Sequence, residues 1–439
     1  MKKYDTYKDS GNQWIGQVPE HWAILPMKHC ANLFTGNSIS DKDKENYSDA
    51  SDAYPYIATK DINVQTLLAD YENGMYTKKE DASFKIASKG STLLCIEGGS
   101  AGRKKTYLTE DVSFVNKLCC FTAKDAMSGK YLYYYINSNE FVEMFNNHIT
   151  GLIGGVSLSQ LVNFKAPLPP LTEQEAIANF LDKKTGEIDQ AIALFEQEKT
   201  DLQAYRKAII SETVTKGLNP NAKLKDSGIQ WIGQIPEEWK TPKLSYITSK
   251  IGSGSTPRGG AETYVTSGVK FIRSQNVYDT GLRLEDVVCI TDEVNESMKN
   301  SQVQVGDILY NITGGSIGRC YIVDDSLGPA NVNQHVCIVR PCNVYGRFLL
   351  YNLQSEVSQY QLRILQSGGN REGLTAEAFK DFIIPLPPLS EQEAIVAYLD
   401  KKTSAIDTAI ERINAQITEL QTYRTALISE AVTGKIDVR

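Results

Sequence analysis

Two long stretches of the chain carry an apolar residue at every seventh position. Leu181, Ile188, Phe195, Leu202 and Ile209 form the column in the first, and Leu399, Ile406, Ile413, Leu420 and Leu427 in the second. A companion column runs Ile177, Lys184, Ala191, Glu198, Tyr205, matched by Ile395, Lys402, Ala409, Gln416, Tyr423. A heptad pattern held this long predicts a coiled-coil seam. The small and polar residues of the companion column suit a pair with a specified register. Pro167, Pro169 and Pro170, and again Pro385, Pro387 and Pro388, keep either helix from starting earlier. Thr172 and Ser390 are the expected N-caps, with Glu175 and Glu393 three places on completing capping boxes. Roughly 40 residues at about 1.5 Å each give a rod of roughly 60 Å.

The helices are the closing parts of a larger repeat. PLPPLTEQEAIANFLDKKTGEIDQ at Pro167 returns as PLPPLSEQEAIVAYLDKKTSAIDT at Pro385, an offset of 218 residues. A repeat of this length is a statement about architecture. A second marker opens each half: KDSGNQWIGQVPEHW at 8–22 and KDSGIQWIGQIPEEW at 225–239, which between them hold all four tryptophans, Trp14, Trp22, Trp231 and Trp239. These rings are expected to pin a connecting segment onto the helices; a docking surface for a partner subunit is the alternative. Between the markers lie short β-like runs in matching order. PYIATKDI (55–62) answers VKFIRSQNV (269–277), STLLCI (91–96) answers DILYNI (307–312), and VNKLCCFT (115–122) answers VNQHVCIV (332–339). Each middle run leads into a glycine turn, EGGSAGRKK at 97–105 and TGGSIGR at 313–319. One helix near 130–147 or 346–365 and a polar Gly-rich loop, 150–159 or 367–375, complete each half. Both globular parts read as mixed α/β domains, so the class is α+β.

The doubled PLPPLxEQ motif, each copy leading into a long helix, resembles the specificity (S) subunits of type I restriction-modification enzymes, over nearly the whole chain. The resemblance implies an N-terminal segment and first target-recognition domain over 1–166 and a conserved helical region over 167–217. A linker and second recognition domain over 218–384 and a second helical region over 385–439 would follow. The helices would pair as an antiparallel coiled coil in a pseudo-twofold tandem repeat. The implied role is non-catalytic: double-stranded DNA is bound at a bipartite, asymmetric target while two methyltransferase (modification) subunits dock on the helices and restriction (translocase-nuclease) subunits join them. The chain would need no cofactor, S-adenosylmethionine and ATP belonging to the partners, and adenine methylation would require a partner to flip the base. A specificity protein of a related or orphan modification system is the nearest alternative.

Composition narrows this. The formal net charge is −7, which looks wrong for a DNA binder. Residues 171–217 hold six basic and nine acidic groups, and 389–435 five and seven, so most of the excess lies on the helices. The globular parts come to −2 each, and any DNA surface must be a local patch. Phosphate contacts from partners would then supplement weak binding by this chain. The eight cysteines form no CxxC pair and the four histidines are scattered, which excludes an obvious zinc site and predicts reduced thiols in the cytoplasm. There is no apolar N-terminal run and no apolar stretch of membrane-spanning length.

No catalytic motif stands out. GGSAG and GGSIG match G-x-S-x-G, but a nucleophile elbow must run from strand to helix, and β-like sequence follows both. A phosphate-approaching turn with exposed N–H groups fits better, beside the plainer reading of a hairpin turn. The Pro-Pro pairs lie only inside LPPL, there is no methyltransferase signature, and GxxxxGK[ST] is absent. A self-contained DNA-modifying enzyme is therefore disfavoured, and a bare coiled-coil scaffold leaves two large divergent domains unexplained. Base readout needs forked donors and amides. The first half offers Lys60, Asn63, Arg103, Lys104 and Lys105. The second offers Arg258, then Arg273, Ser274, Gln275 and Asn276, then Arg319, Asn370 and Arg371. Glu97 stands where the second half has Thr313 and would repel phosphate, so the two turns need not act alike.

Overall fold

The computed structural model describes residues 2–151, 154–367 and 373–439. The chain divides into two compact units, 1–195 with 414–439, and 196–413. Each unit contains one half of each long helix, Leu171–Lys216 and Leu389–Val432.

Each globular part is built on the same pair of sheets. In the first unit the strands Ala31–Thr35, Leu118–Ala123, Thr92–Cys95 and Lys105–Tyr107 lie side by side in that order, all antiparallel. In the second the order is Thr248–Ser253, Val336–Pro341, Ile308–Asn311, Cys320–Ile322. A second sheet in each unit contains one parallel pair, Ala53–Ile57 with Val112–Phe114, and Val269–Ile272 with Ala330–Val332. The central strands are apolar without alternation because both faces are buried. Leu94, Cys119 and Phe121 face the helical side, while Leu93, Cys95, Leu118 and Cys120 face the second sheet. Ile308, Tyr310, Cys337 and Val339 repeat the first set, and Leu309, Val336 and Ile338 the second.

The single helix expected after these strands is two. Gly129–Ile136 and Asn139–Asn146 are separated at Ser138, whose hydroxyl accepts from Phe141 N and donates to Tyr135 O. Gly346–Gln354 and Glu356–Ser367 part at Ser355, whose hydroxyl donates to Asn352 O at 2.6 Å. Ser138 thus serves the end of one helix and the start of the next, and Ser355 the end of the first, which favours the break over the continuous helix that the apolar spacing suggests.

The long helices begin one residue earlier than their expected caps. Each starts directly after the second proline of LPPL, and Glu173 N and Gln174 N donate to Pro170 O, as Glu391 N and Gln392 N do to Pro388 O. Thr172 and Ser390 therefore sit inside the first turn. The Glu-Gln pair of the motif does the anchoring instead. Glu173 is buried and accepts from Trp22 Nε1 (3.2 Å), His21 Nε2 (2.9 Å) and the Tyr4 hydroxyl. Glu391 accepts from Trp239 Nε1 at 3.0 Å. Gln174 takes a hydrogen bond from Ser128 N at the helix start and donates to Pro169 O and Ala126 O. Gln392 repeats this with Tyr345 N and Pro387 O. The tryptophans Trp22 and Trp239 thus tie the opening segment of each half to a helix start.

Within each unit the helix halves run antiparallel. Ile177, Leu181 and Ile188 share a core with Leu427, Ile428, Ala431 and Val432. Ile210 and Val214 share one with Ile395, Val396 and Leu399. Bidentate ion pairs repeat the match, Arg424 with Asp189 and Arg206 with Asp407. The seam is narrower than expected. The first column is buried or half-buried throughout, but Glu198, Tyr205, Lys402, Gln416 and Tyr423 of the companion column are exposed. Charged and amide side chains cannot be buried there without partners. A polar network binds each domain to its helix: Tyr134 donates to Asp182 (2.6 Å) and Tyr351 to Asp400 (2.7 Å), with Thr185 and Thr403 beside them. No helix among the described residues is long and apolar enough to cross a membrane.

Candidate nucleic-acid interface

In both units the glycine turn, a one-turn helix and a loop from the first strand collect at one edge. The turns require glycine. Gly102 and Gly318 have φ of +72° and +90°, and a side chain at either would press on Phe145 or Gln359. The N–H groups of Ala101, Gly102 and Arg103 close the first turn onto Gly98, Cys95 and Ser100 carbonyls. Those of Ile317, Gly318 and Arg319 close the second in the same way onto Gly314, Asn311 and Ser316. These N–H groups are spent inside the turn, which leaves the exposed glycines Gly99 and Gly315 at the outer side of the two turns. Strands follow, Lys105–Tyr107 and Cys320–Ile322, not the helix that a nucleophile elbow needs. Among the described residues no histidine hydrogen-bonds Ser100 or Ser316, and no cluster of three His, Cys, Asp or Glu could hold a metal.

The first-half candidates divide sharply. Lys60 is exposed on the one-turn helix Thr59–Asp61, and Arg103 is exposed at the end of the turn. Lys104 joins the two, its Nζ donating to Thr59 O at 2.8 Å. Asn63 shapes a loop, its Oδ1 accepting from Gln65 N and Thr66 N. Lys105 faces the interior. It is 6% exposed, donates to Ile136 O at 3.0 Å, and burial lowers its ammonium to about 8. Three consecutive basic residues read as a patch in the sequence, but the strand starts at Lys105 and alternation turns it inward. Lys105, against expectation, is therefore not free to contact DNA.

The second half repeats the frame with different side chains. Ser274, Gln275 and Asn276 form the one-turn helix, and Asn311 Nδ2 holds it to the turn by bonding Ser274 O (2.8 Å) and Ser316 Oγ (3.1 Å). Gln275 is exposed, as is Arg258 on its loop. Asn276 is 1% exposed, with Oδ1 accepting from Arg273 N and Nδ2 donating to Arg283 O. Its amide is spent inside the fold, so, against expectation, it is not free to read a base. Arg273 is half-buried, donates to Asp286 O and lies 6.0 Å from the Tyr264 ring centre. Arg319 stacks on Tyr278 at 4.7 Å, and Arg283 lies over the same ring at 3.9 Å. Arg283 was not legible as a candidate: nothing in its spacing shows that a hairpin brings it back to Tyr278. Asn370 and Arg371 lie outside the described residues.

A third loop reaches this edge, between the parallel strand and the next antiparallel one. The VN match between VNKL and VNQH misleads here by one residue. Val115 N donates to Ile57 O, and its counterpart by hydrogen bonding is Asn333, whose N donates to Ile272 O. Asn116 therefore corresponds to Gln334 and Lys117 to His335. Both amides are exposed.

This scaffold has known relatives. Residues 19–202 and 236–419 each match the model of the type I restriction modification DNA specificity domain. The chain belongs to that family, whose members in type I restriction systems are DNA-recognition subunits and not catalytic ones. It is 26% identical over 436 residues to the type I restriction enzyme MjaVIII specificity subunit of Methanocaldococcus jannaschii, covering 96% of this chain and 95% of that protein. With the EcoBI specificity subunit of Escherichia coli it shares 23% identity, covering 95% and 87%. A solved chain from a study of complex assembly and conformational transition of the type I R-M system has the same fold, with a TM-score of 0.72 at 16% identity over 95% of this chain and 99% of that one.

Proposed function

We propose that this specificity subunit reads a bipartite, asymmetric DNA target, one half-site through each recognition domain, 1–166 and 218–384. Two methyltransferase subunits dock on the helical regions, 167–217 and 385–439, and restriction subunits join them in the cytoplasm. One observation carries this reading. The two halves share the Trp–Glu bond and the glutamine bonds that anchor each helix start, yet differ where side chains reach solvent at the turn edge: Glu97 against Thr313, Asn63 against Tyr278, Asn116 against Gln334. A scaffold kept alike with edges made different suits two different half-sites. The contacts of this reading are Lys60, Arg103 and Lys104 on one edge and Arg258, Gln275, Arg283 and Arg319 on the other. The lysines and arginines among them are local positive groups in a chain of net charge −7 and would position phosphates, while Gln275 offers an exposed amide.

The test is exchange of residues 237–383 for the matching domain of a relative, expressed with the methyltransferase subunits, followed by sequencing of methylated sites. One half-site should change and the other persist. A change in both halves at once contradicts independent readout.

A further inference from the structure

We propose that Gln334 is a base-reading residue of the second recognition domain, held in a fixed pose for an adenine edge, and that Asn116 occupies the same place in the first. This deepens the function proposed above and rests on it. Gln334 is exposed, so its amide faces solvent, yet both ends of that amide are already tethered. Thr256 Oγ1 donates to its Oε1 at 2.6 Å, and its Nε2 lies 3.0 Å from His335 Nε2. His335 Nδ1 in turn lies 2.6 Å from Thr313 Oγ1, on the first residue of the glycine turn.

The chemistry of the chain of bonds follows from these contacts. An amide nitrogen only donates, so His335 Nε2 accepts. The ring is then neutral, with its proton on Nδ1 donated to the Thr313 hydroxyl. One N–H and one oxygen lone pair of Gln334 are used, leaving one of each. A donor beside an acceptor on one planar amide is the pattern that matches N7 and the N6 amine of adenine in the major groove. A surface glutamine ordinarily loses side-chain entropy when it binds. Here three loops hold it beforehand.

The loops themselves are fixed by backbone. Gly254 N donates to Val336 O at 3.0 Å, and a Cβ at Gly254 would come within 1.9 Å of Val332 O, so the Thr256 loop must pass this close. Ile312 N donates to His335 O at 3.0 Å and seats the loop on the turn. In the first half Gly36 makes the same close approach to Phe114 O, and Ile96 N donates to Lys117 O. The position is thus built twice and filled with an amide twice. Thr313 and His335 give way there to Glu97 and Lys117, so the tether is specific to the second half.

The experiment uses the full chain with its methyltransferase subunits and reads the methylated motif by sequencing. The wild-type complex should give a two-part motif; absence of one overturns the function and this inference together. Gln334→Ala should relax one base pair of one half-site, cutting discrimination there roughly ten-fold or more, with the other half-site and the gap intact. Gln334→Glu, which can accept but not donate, should shift that position from A towards C. His335→Ala, removing a positioning residue, should blur the same base pair, and the double variant should be no worse. Asn116→Ala should relax a position in the opposite half-site. A wild-type motif that survives Gln334→Ala unchanged overturns the inference and leaves the function standing. Uniform weakening at all positions also overturns it, since that marks a phosphate contact.

Discussion

At the scale of single residues, the difference between a binding group and a structural one is its partner. Lys104 and Lys105 are neighbours of the same type, but one bridges two surface elements and the other is buried against Ile136 O. The depressed ammonium of Lys105 gives a sign that can be measured. Below about 8 the lysine is charged in the folded and the unfolded chain alike, and burial of that charge costs stability. Above that value the folded protein has shed the proton and the unfolded chain still holds it, up to the ordinary 10.5. Stability contributed by this site therefore rises with pH across that window. Other groups titrate there too, notably buried thiols pushed up by desolvation, which act in the opposite sense. The comparison must be differential. Urea unfolding of wild type and Lys105→Met at pH 7.5 and 9.5 should show wild type gaining relative to the variant as pH rises. Parallel changes would mean the ammonium is not desolvated. Sequence could propose Arg103, Gln275 and Arg319, because residue type suffices to name a candidate. It could not separate Asn276 from Gln275, since burial depends on a one-turn helix whose closing bonds come from Asn311 and Arg283.

At the scale of elements, periodicity told most of the truth. The heptad column, both long helices and the central strands of each half were legible, because each rests on local spacing that burial then respects; the edge strands Ala31–Thr35 and Thr248–Ser253 and the pairing order were not. What failed was a choice between equivalent local signals. Thr172 and Glu175 form a plausible capping box, but the preceding proline carbonyl and the buried Glu173 decide the start. Glu173 and Glu391 are the same residue in the repeat, yet only Glu173 gathers three side chains, His21, Trp22 and Tyr4. Its loss leaves a buried indole and a buried phenol without an acceptor. Glu173→Ala should cost about 3 kcal/mol and Glu391→Ala about 1 kcal/mol. Tryptophan fluorescence during urea unfolding checks this, since Trp22 and Trp239 sit beside the two carboxylates. Equal losses would show that Tyr4 and His21 contribute nothing to the anchor.

At the scale of the whole molecule, the repeat converts one solution into two. The ion pairs Arg424–Asp189 and Arg206–Asp407 are related by the same 218-residue offset as the helices, so each stretch of seam is specified twice. Continuous helices of 46 and 44 residues pass through both compact units. We expect helix length, and not the attachment of the domains, to set the unread gap between half-sites. The polar bonds of Tyr134 to Asp182 and Tyr351 to Asp400 favour this, because they fix each domain to its own helix. Inserting about four residues after Leu194 would lengthen one helix by roughly 6 Å. That is close to two base-pair steps at about 3.4 Å each. Leu194 is 72% exposed, so the insertion point itself buries nothing. The heptad column beyond it is displaced, and some stability is lost for that reason. Protein that still assembles with its methyltransferase subunits should methylate the same two half-sites across a longer gap. An active insertion variant with the original spacing would show that the domains adjust at their attachments, and that the Tyr–Asp bonds yield before the helix imposes its length.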